Sequence, residues 1–241
     1  MVIRIYENSE QVGKAAATLL GAQILKKPDA VLGLATGSTP LPAYRELIRL
    51  YEEGILDFSR VISYNLDEYV GISPDHPQSY HRFMKDNLFD FINILPENTH
   101  VPDGNAQDPE AFCAAYDQAI AQAGGIDVQV LGIGRNGHIA FNEPGSSFVS
   151  GCHTVELTQS TIQANRRFFD SEDQVPRKAI TLGIGSIMAA KQVLLLATGQ
   201  DKAEAIRSCV KGNMDPQFQA SILQSHPNVV VLLDQAAASL L

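Results

Sequence analysis

Asp127–Gly145 reads DVQVLGIGRNGHIAFNEPG. The first five residues, with Val128, Val130 and Leu131 among them, read as a strand. It delivers the chain directly into Gly132, Gly134 and Gly137, spaced G-x-G-x-x-G. A glycine loop straight after a buried strand marks the carboxyl edge of a parallel sheet, where such folds bind ligands. The same spacing cradles a dinucleotide pyrophosphate, but only if a helix of useful length opens inside the loop. Pro144-Gly145 interrupts the chain seven residues after Gly137, and Glu156, near the distance of a ribose-binding acid, follows the break. The stretch instead sets His138, Asn142 and Glu143 within six residues of one another. A tight glycine loop carrying an imidazole, which titrates near neutrality, and a carboxylate to orient it suits proton transfer better than cofactor binding. An isolated loop histidine would be merely solvated; the neighbours give this one content.

Outward from this stretch, strands and helices alternate. Strands are expected at Val2–Tyr6, Ala30–Ala35, Val61–Leu66, Asp127–Leu131, Ala179–Leu182, Gln192–Ala197 and Val229–Leu233, with a weaker one at Val155–Leu157. Asn8 and Gln11 form a capping-box pattern ahead of Val12, Ala15, Ala16, Leu19 and Leu20 at helical spacing. Further helices are expected at Ala43–Tyr51, Ser79–Phe89, Asp108–Gln122, Thr161–Phe169, Asp201–Val210 and Gln219–Gln224, with a tail helix from Gln235. The pattern predicts an α/β fold: a modified doubly wound, mostly parallel sheet with helices on both faces, as a single domain over 1–241. The polar stretch Ser150–Pro176 is the least regular and reads as a lid or as a plain surface excursion.

Bulk composition narrows the class. The chain has 241 residues, 45% hydrophobic and 19% charged, and a formal net charge of −9. That charge disfavours nucleic acid and anionic membranes as partners, yet allows a locally basic pocket for a small anion. No apolar run reaches the length of a membrane span, and MVIRIYENSE does not read as a signal peptide, so a cytoplasmic protein is expected. Cys113, Cys152 and Cys209 are scattered and form no CxxC pair; the six histidines show no metal-ligand spacing.

Three further strand ends carry unusual residues. After Ala30–Ala35 come Thr36, Gly37, Ser38 and Thr39 ahead of a helix. Small residues before a helix N-terminus make an anion site in principle, and an ordinary helix start reads the same way. The GKS/T ending of a nucleoside-triphosphate loop is absent. After Val61–Leu66 come Asp67 and Glu68. Adjacent strand residues point to opposite faces, so only one can serve a given pocket as a base. Cationic side chains follow at Arg166 and Arg167 in NRRFF, and at Lys202 after Thr198-Gly199.

Taken in order, ATGSTP, NLDEYVG with HPQSYHRFM, LGIGRNGHIAFNEPG, NRRFFD, QVPRKAITLGIGSIMAA and HPNVVVLLD resemble the glucosamine-6-phosphate deaminases, also called glucosamine-6-phosphate isomerases, over nearly the whole chain. The resemblance implies conversion of D-glucosamine 6-phosphate and water to D-fructose 6-phosphate and ammonium, with no redox cofactor and no essential metal. It implies Asp67 as the base between C2 and C1, and His138 as the ring-opening acid/base supported by Glu143 and Asn136. It also implies Gly37–Thr39, Arg167 and Lys202 as phosphate-binding positions, joined by Thr36, with Gly132 lining the sugar site.

Two departures matter. Many relatives carry Asp where this chain has Asn136, although Asn also occurs, so Glu143 is expected to carry more of the electrostatic support. Longer relatives are hexamers activated by N-acetylglucosamine 6-phosphate through basic residues shortly after FNEP. Here SGCHTVELT puts His153 and Val155 at those places, which predicts hyperbolic kinetics and a monomer or small homo-oligomer. A 6-phosphogluconolactonase-type hydrolase and a non-enzymatic sugar-phosphate sensor are the alternatives. The sensor reading lacks a helix-turn-helix module with basic flanks.

Overall fold

The computed structural model describes residues 1–241. In chain order the elements are β1 (Val2–Tyr6), α1 (Ser9–Lys26), β2 (Val31–Leu34), α2 (Leu41–Glu52), β3 (Ile62–Asn65), β4 (Asp67–Tyr69), α3 (Tyr80–Asn87), β5 (Thr99–His100) and α4 (Pro109–Gln122). They continue with β6 (Val128–Leu131), β7 (His153–Glu156), α5 (Gln159–Asn165), β8 (Lys178–Thr181), α6 (Ile184–Met188), β9 (Val193–Ala197), α7 (Ala203–Lys211) and β10 (Val229–Asp234).

Seven strands form one sheet in the order β1-β10-β9-β6-β2-β3-β5, every pair parallel. The central strands are apolar because both faces are covered: each residue of β2, β6 and β9 is buried. From β2 the chain winds outward through β3 to β5, then returns to place β6 on the other side of β2. The winding therefore reverses between β2 and β6, and the crevice outside their carboxyl ends is where such a sheet holds a ligand. Asp127, just before β6, fixes this junction by accepting the Val31 N–H at 2.8 Å and pairing with Lys27 and Lys191 at 2.7 Å each.

The expected mostly parallel doubly wound sheet is present, with three corrections. Ala179–Thr181 does not join it: β8 is the middle strand of a separate antiparallel sheet, β4-β8-β7. Asp67 and Glu68 do not simply run on from the Val61–Leu66 strand but lie in a separate strand, β4, paired with Thr181 and Ile180. The tail after β10 makes turns and no helix, while Gln219–Ser225 is a 3-10 helix. Half of the capping box of α1 forms: Asn8 accepts the Gln11 N–H at 3.0 Å, while the Gln11 side chain accepts the Glu7 N–H, also at 3.0 Å, in place of Asn8's.

The small sheet has a core of its own, built by Tyr69, Ile72, Phe141, Leu157, Ile162, Val175 and Ala179. It stands over the carboxyl edge of the main sheet. Leu66 ties the two together, its N–H reaching Leu34 and its carbonyl accepting from Leu182 at 2.7 Å. Two residues beyond β3, the chain thus turns from the parallel sheet into a wall beside the crevice.

Candidate active site

A crevice of about 570 Å³ opens at the reversal point. Its lining includes Thr36, Gly37, Ser38 and Thr39 after β2, Asp67 in β4, and Gly132, Asn136 and His138 after β6. Arg167 and Lys202 line it as well. Ten of the eleven candidate residues therefore face one space, although they span positions 36 to 202. The eleventh, Glu143, lies behind His138 and not on the lining.

The glycines of the opening stretch serve the histidine. Gly137 has φ of +84°, the left-handed region, and turns the chain back. A Cβ on Gly134 would fall 2.4 Å from Cε1 of His138 and 2.5 Å from both ring nitrogens. The imidazole packs on bare backbone. Gly134 N–H then closes the loop on the His138 carbonyl at 2.9 Å. Ala140 follows at φ of +51°, unusual for a residue with a side chain. Asn142 clamps the resulting turn through Ile139 and Leu182 carbonyls at 3.0 and 2.8 Å.

This turn folds Glu143 back so that its Oε2 lies 3.5 Å from His138 Nδ1. Asn136 holds the carboxylate rather than the imidazole: its Nδ2 donates to Glu143 Oε2 at 2.8 Å, and its Oδ1 accepts the His138 backbone N–H at 3.2 Å. Burial pushes the Glu143 carboxyl up, but the His138 ring, Thr161 and Asn136 together outweigh it and hold the group down at about 2. Glu143 is therefore a permanent anion behind the ring.

Asp67 and Glu68 diverge as strand neighbours must. Glu68 turns away from the crevice and accepts the N–H groups of Tyr69, Tyr80 and His81 at 2.9, 2.8 and 3.1 Å. Two of these are the first donors of α3, so a buried carboxylate joins a strand to a helix start. Asp67 faces the crevice. Burial, and then the charge of Glu68, push its carboxyl up to about 8. Such a group sits where a general base is wanted.

The far end of the crevice suits an anion. The N–H groups of Gly37, Ser38 and Thr39 meet no backbone acceptor, and Gly37 has φ of +93° with open space before it. The helix after them starts at Leu41, two residues earlier than its periodicity suggests, with Pro42 tolerated in its first turn. Lys202 is half-buried; burial lowers its affinity for a proton, Asp201 opposes this, and Arg135 and Arg167 add to it. Arg167 stacks over the Phe168 ring at 4.6 Å. Arg135, Asp201 and Thr161 also line the crevice and were missed in the sequence. Arg135 pairs with Asp201 at 2.9 Å, a contact across 66 residues that no local pattern announces. No group of three or more His, Cys, Asp or Glu side chains is disposed to hold a metal ion, and no helix is long and apolar enough to cross a membrane.

An open α/β sheet with a crevice that joins an anion-accepting end to a buried carboxylate and an imidazole defines a protein built for a small phosphorylated ligand. The chain belongs to the family of glucosamine-6-phosphate isomerases and 6-phosphogluconolactonases, whose pattern matches residues 6–232. It is 54% identical over its full length to glucosamine-6-phosphate deaminase of Thermoanaerobacter pseudethanolicus, covering 95% of that protein. It is 52% identical to the enzyme of that name from Halothermothrix orenii, with full coverage of both chains. The solved structure of a monomeric glucosamine-6-phosphate deaminase superposes with a TM-score of 0.98 at 48% identity, covering all of both chains. A 6-phosphogluconolactonase from Trypanosoma brucei shares the fold at a TM-score of 0.78 and 21% identity, covering 99% of this chain and 97% of that one.

Proposed function

We propose that this chain converts D-glucosamine 6-phosphate and water to D-fructose 6-phosphate and ammonium. The observation that carries the reading is the convergence of Asp67, His138 and the cationic end on a single crevice. The full-length identity to deaminases supports it.

A closed pyranose has no carbonyl to acidify its C2–H, so the ring opens first. His138 takes the O1 proton and returns one to the ring oxygen, with Glu143 stabilising the transient imidazolium. Asp67 then removes the proton from C2 while O1 takes up the proton that the substrate ammonium gives up, which yields an enolamine, and Asp67 passes its proton on to C1. The resulting C2 iminium adds water and expels ammonium. Throughout, the phosphate does no chemistry. Held by the loop N–H groups, Lys202 and Arg167, it fixes C2 beside Asp67, an orientation effect. Residues 150–176 act as a lid over this arrangement, since Arg167 and Thr161 reach the crevice from it.

Ammonium release from glucosamine 6-phosphate tests the reading. We expect a hyperbolic velocity curve, unchanged by N-acetylglucosamine 6-phosphate, and sedimentation as a single chain. A sigmoidal curve made hyperbolic by that compound would refute the regulatory part. Lactone hydrolysis on the same fold needs a water and no carbon-bound proton; product made in D2O that carries deuterium at C1 separates the two reactions.

Support for His138 is apportioned by two further variants. Glu143→Gln lowers kcat by roughly 10–100-fold and alters the acidic limb of the pH–rate profile, because it removes the one fixed anion facing the ring. Asn136→Asp replaces the donor on Glu143 with a second carboxylate. It is expected to raise the Glu143 carboxyl and leave a milder loss. An acidic limb untouched by Glu143→Gln would defeat the assignment.

A further inference from the structure

We propose that Thr161 is a positioning residue for the His138–Glu143 pair, the contact through which a segment seated on bound phosphate sets the imidazole for ring opening. The inference rests on the function proposed above and extends it to the coupling between the two ends of the crevice.

His138 Nδ1 lies between two oxygens of different origin. Glu143 Oε2, 3.5 Å away, belongs to the turn that follows β6. Thr161 Oγ1, also 3.5 Å away, belongs to α5. The helix start adds a second tether: the Thr158 N–H donates to Glu143 Oε1 at 3.3 Å, and the Thr158 hydroxyl reaches Thr161 Oγ1 at 3.2 Å. Thr161 is buried, at 3% exposure, so its hydroxyl has been withdrawn from solvent to serve these partners. An Nδ1–H kept between the two oxygens leaves Nε2 as the nitrogen that exchanges protons with the sugar.

These contacts are long by the standard of finished hydrogen bonds, as catalytic contacts often are before substrate binds. The same segment supplies the means of shortening them. Arg167 lies in the 3-10 turn that directly continues α5. An anion that draws Arg167 toward Lys202 also draws α5, and with it Thr158 and Thr161, onto Glu143 and His138. Binding energy from a group that never reacts is thereby spent on orienting the group that opens the ring.

Thr161→Val keeps shape and removes the hydroxyl; Thr161→Ala, run beside it, removes the hydroxyl and relieves crowding. Each is expected to lower kcat for ammonium release by about 10-fold, the scale of a misplaced catalytic group. The acidic limb of kcat/KM should stay where Asp67 sets it, since Glu143, held down at about 2, remains ionised throughout. Inhibition by the ring-less alditol analogue of the substrate, which needs no ring opening, should stay within about 2-fold of wild type. Thr161→Ser should recover most of the lost kcat. Unchanged kcat in both hydroxyl-free variants overturns the inference alone. So does a loss that Ser fails to recover, or one appearing equally in the alditol inhibition constant, since either marks a packing role. Wild-type protein that releases no ammonium overturns the functional reading, and this inference with it.

Discussion

Asp67→Asn is expected to abolish ammonium release to the extent of about 10⁴-fold in kcat, the upper end for a well-placed general base, while making the protein more stable at neutral pH. The first half follows from position. Asp67 is the crevice-facing member of its pair, and Glu68 is committed to three backbone donors and cannot replace it. The second half follows from linkage. Burial and the neighbouring Glu68 charge raise the Asp67 carboxyl to about 8 in the folded chain, against roughly 3.9 in an unfolded one. The folded state therefore holds its proton more tightly, and ionising Asp67 costs stability progressively as pH rises from about 4 to about 8. Asparagine removes that cost. The gain in melting temperature should vanish near pH 4, grow up to pH 8 and level off above it. A variant that loses activity without gaining stability over this window would mean that Asp67 is not a destabilised base.

The same group shapes the wild-type pH profile. Since kcat/KM reports the free enzyme, it should climb with pH and level off above about 8, as Asp67 loses its proton. Bound substrate brings a cationic amine close to this carboxylate and favours its ionised form. The acidic limb of kcat should therefore lie at lower pH than that of kcat/KM.

Much of this arrangement is legible in the sequence because the main sheet is buried on both faces. The runs Val31–Leu34, Val193–Ala197 and Val229–Leu233 announce themselves as apolar blocks, and the residues just after such strands are where ligands bind. The second sheet is not legible for the opposite reason. β4 is three residues long, two of them carboxylates, and its partner Thr181 is 114 positions away. A strand of that kind exists only through tertiary pairing, so in the sequence the acidic pair reads as the continuation of Val61–Leu66. The role of Glu68 is hidden likewise, because two of its three donors belong to a helix that starts eleven residues beyond β4's end. Arg135 and Thr161 were invisible as site residues because nothing in their local pattern distinguishes a cation or hydroxyl that faces the crevice from one that faces water. The family resemblance implies Asn136 as a support of the imidazole. In the structure its amide spans the loop to Glu143 instead, since a residue two positions from His138 meets its backbone more easily than its ring.

The glycines of the opening stretch provide the second large test, and they separate the catalytic reading from the cofactor reading most sharply. In Gly134→Ala, the added methyl would stand 2.4–2.5 Å from three atoms of the His138 ring. The loop backbone is poorly placed to yield: Gly134 donates to the His138 carbonyl at 2.9 Å and accepts from Gly137 at 3.0 Å. The ring has to give way, toward the crevice and away from Glu143. A displacement of about an ångström in an acid/base group costs on the order of 10²-fold in kcat. Binding of the phosphate end should change little, because Gly37–Thr39 and Lys202 are untouched, and the melting temperature should fall by only a few degrees, because the ring has open space to enter. Gly132→Ala supplies the contrast. Its methyl meets nothing within 4 Å in the free protein but lines the crevice, so it should raise KM by crowding the sugar and leave kcat nearly intact. A pyrophosphate loop would need both glycines for the same close approach of backbone to ligand, and the two variants would then fail alike. If Gly134→Ala keeps kcat within about threefold of wild type, the placement of the imidazole does not limit turnover, and His138 loses its assigned role.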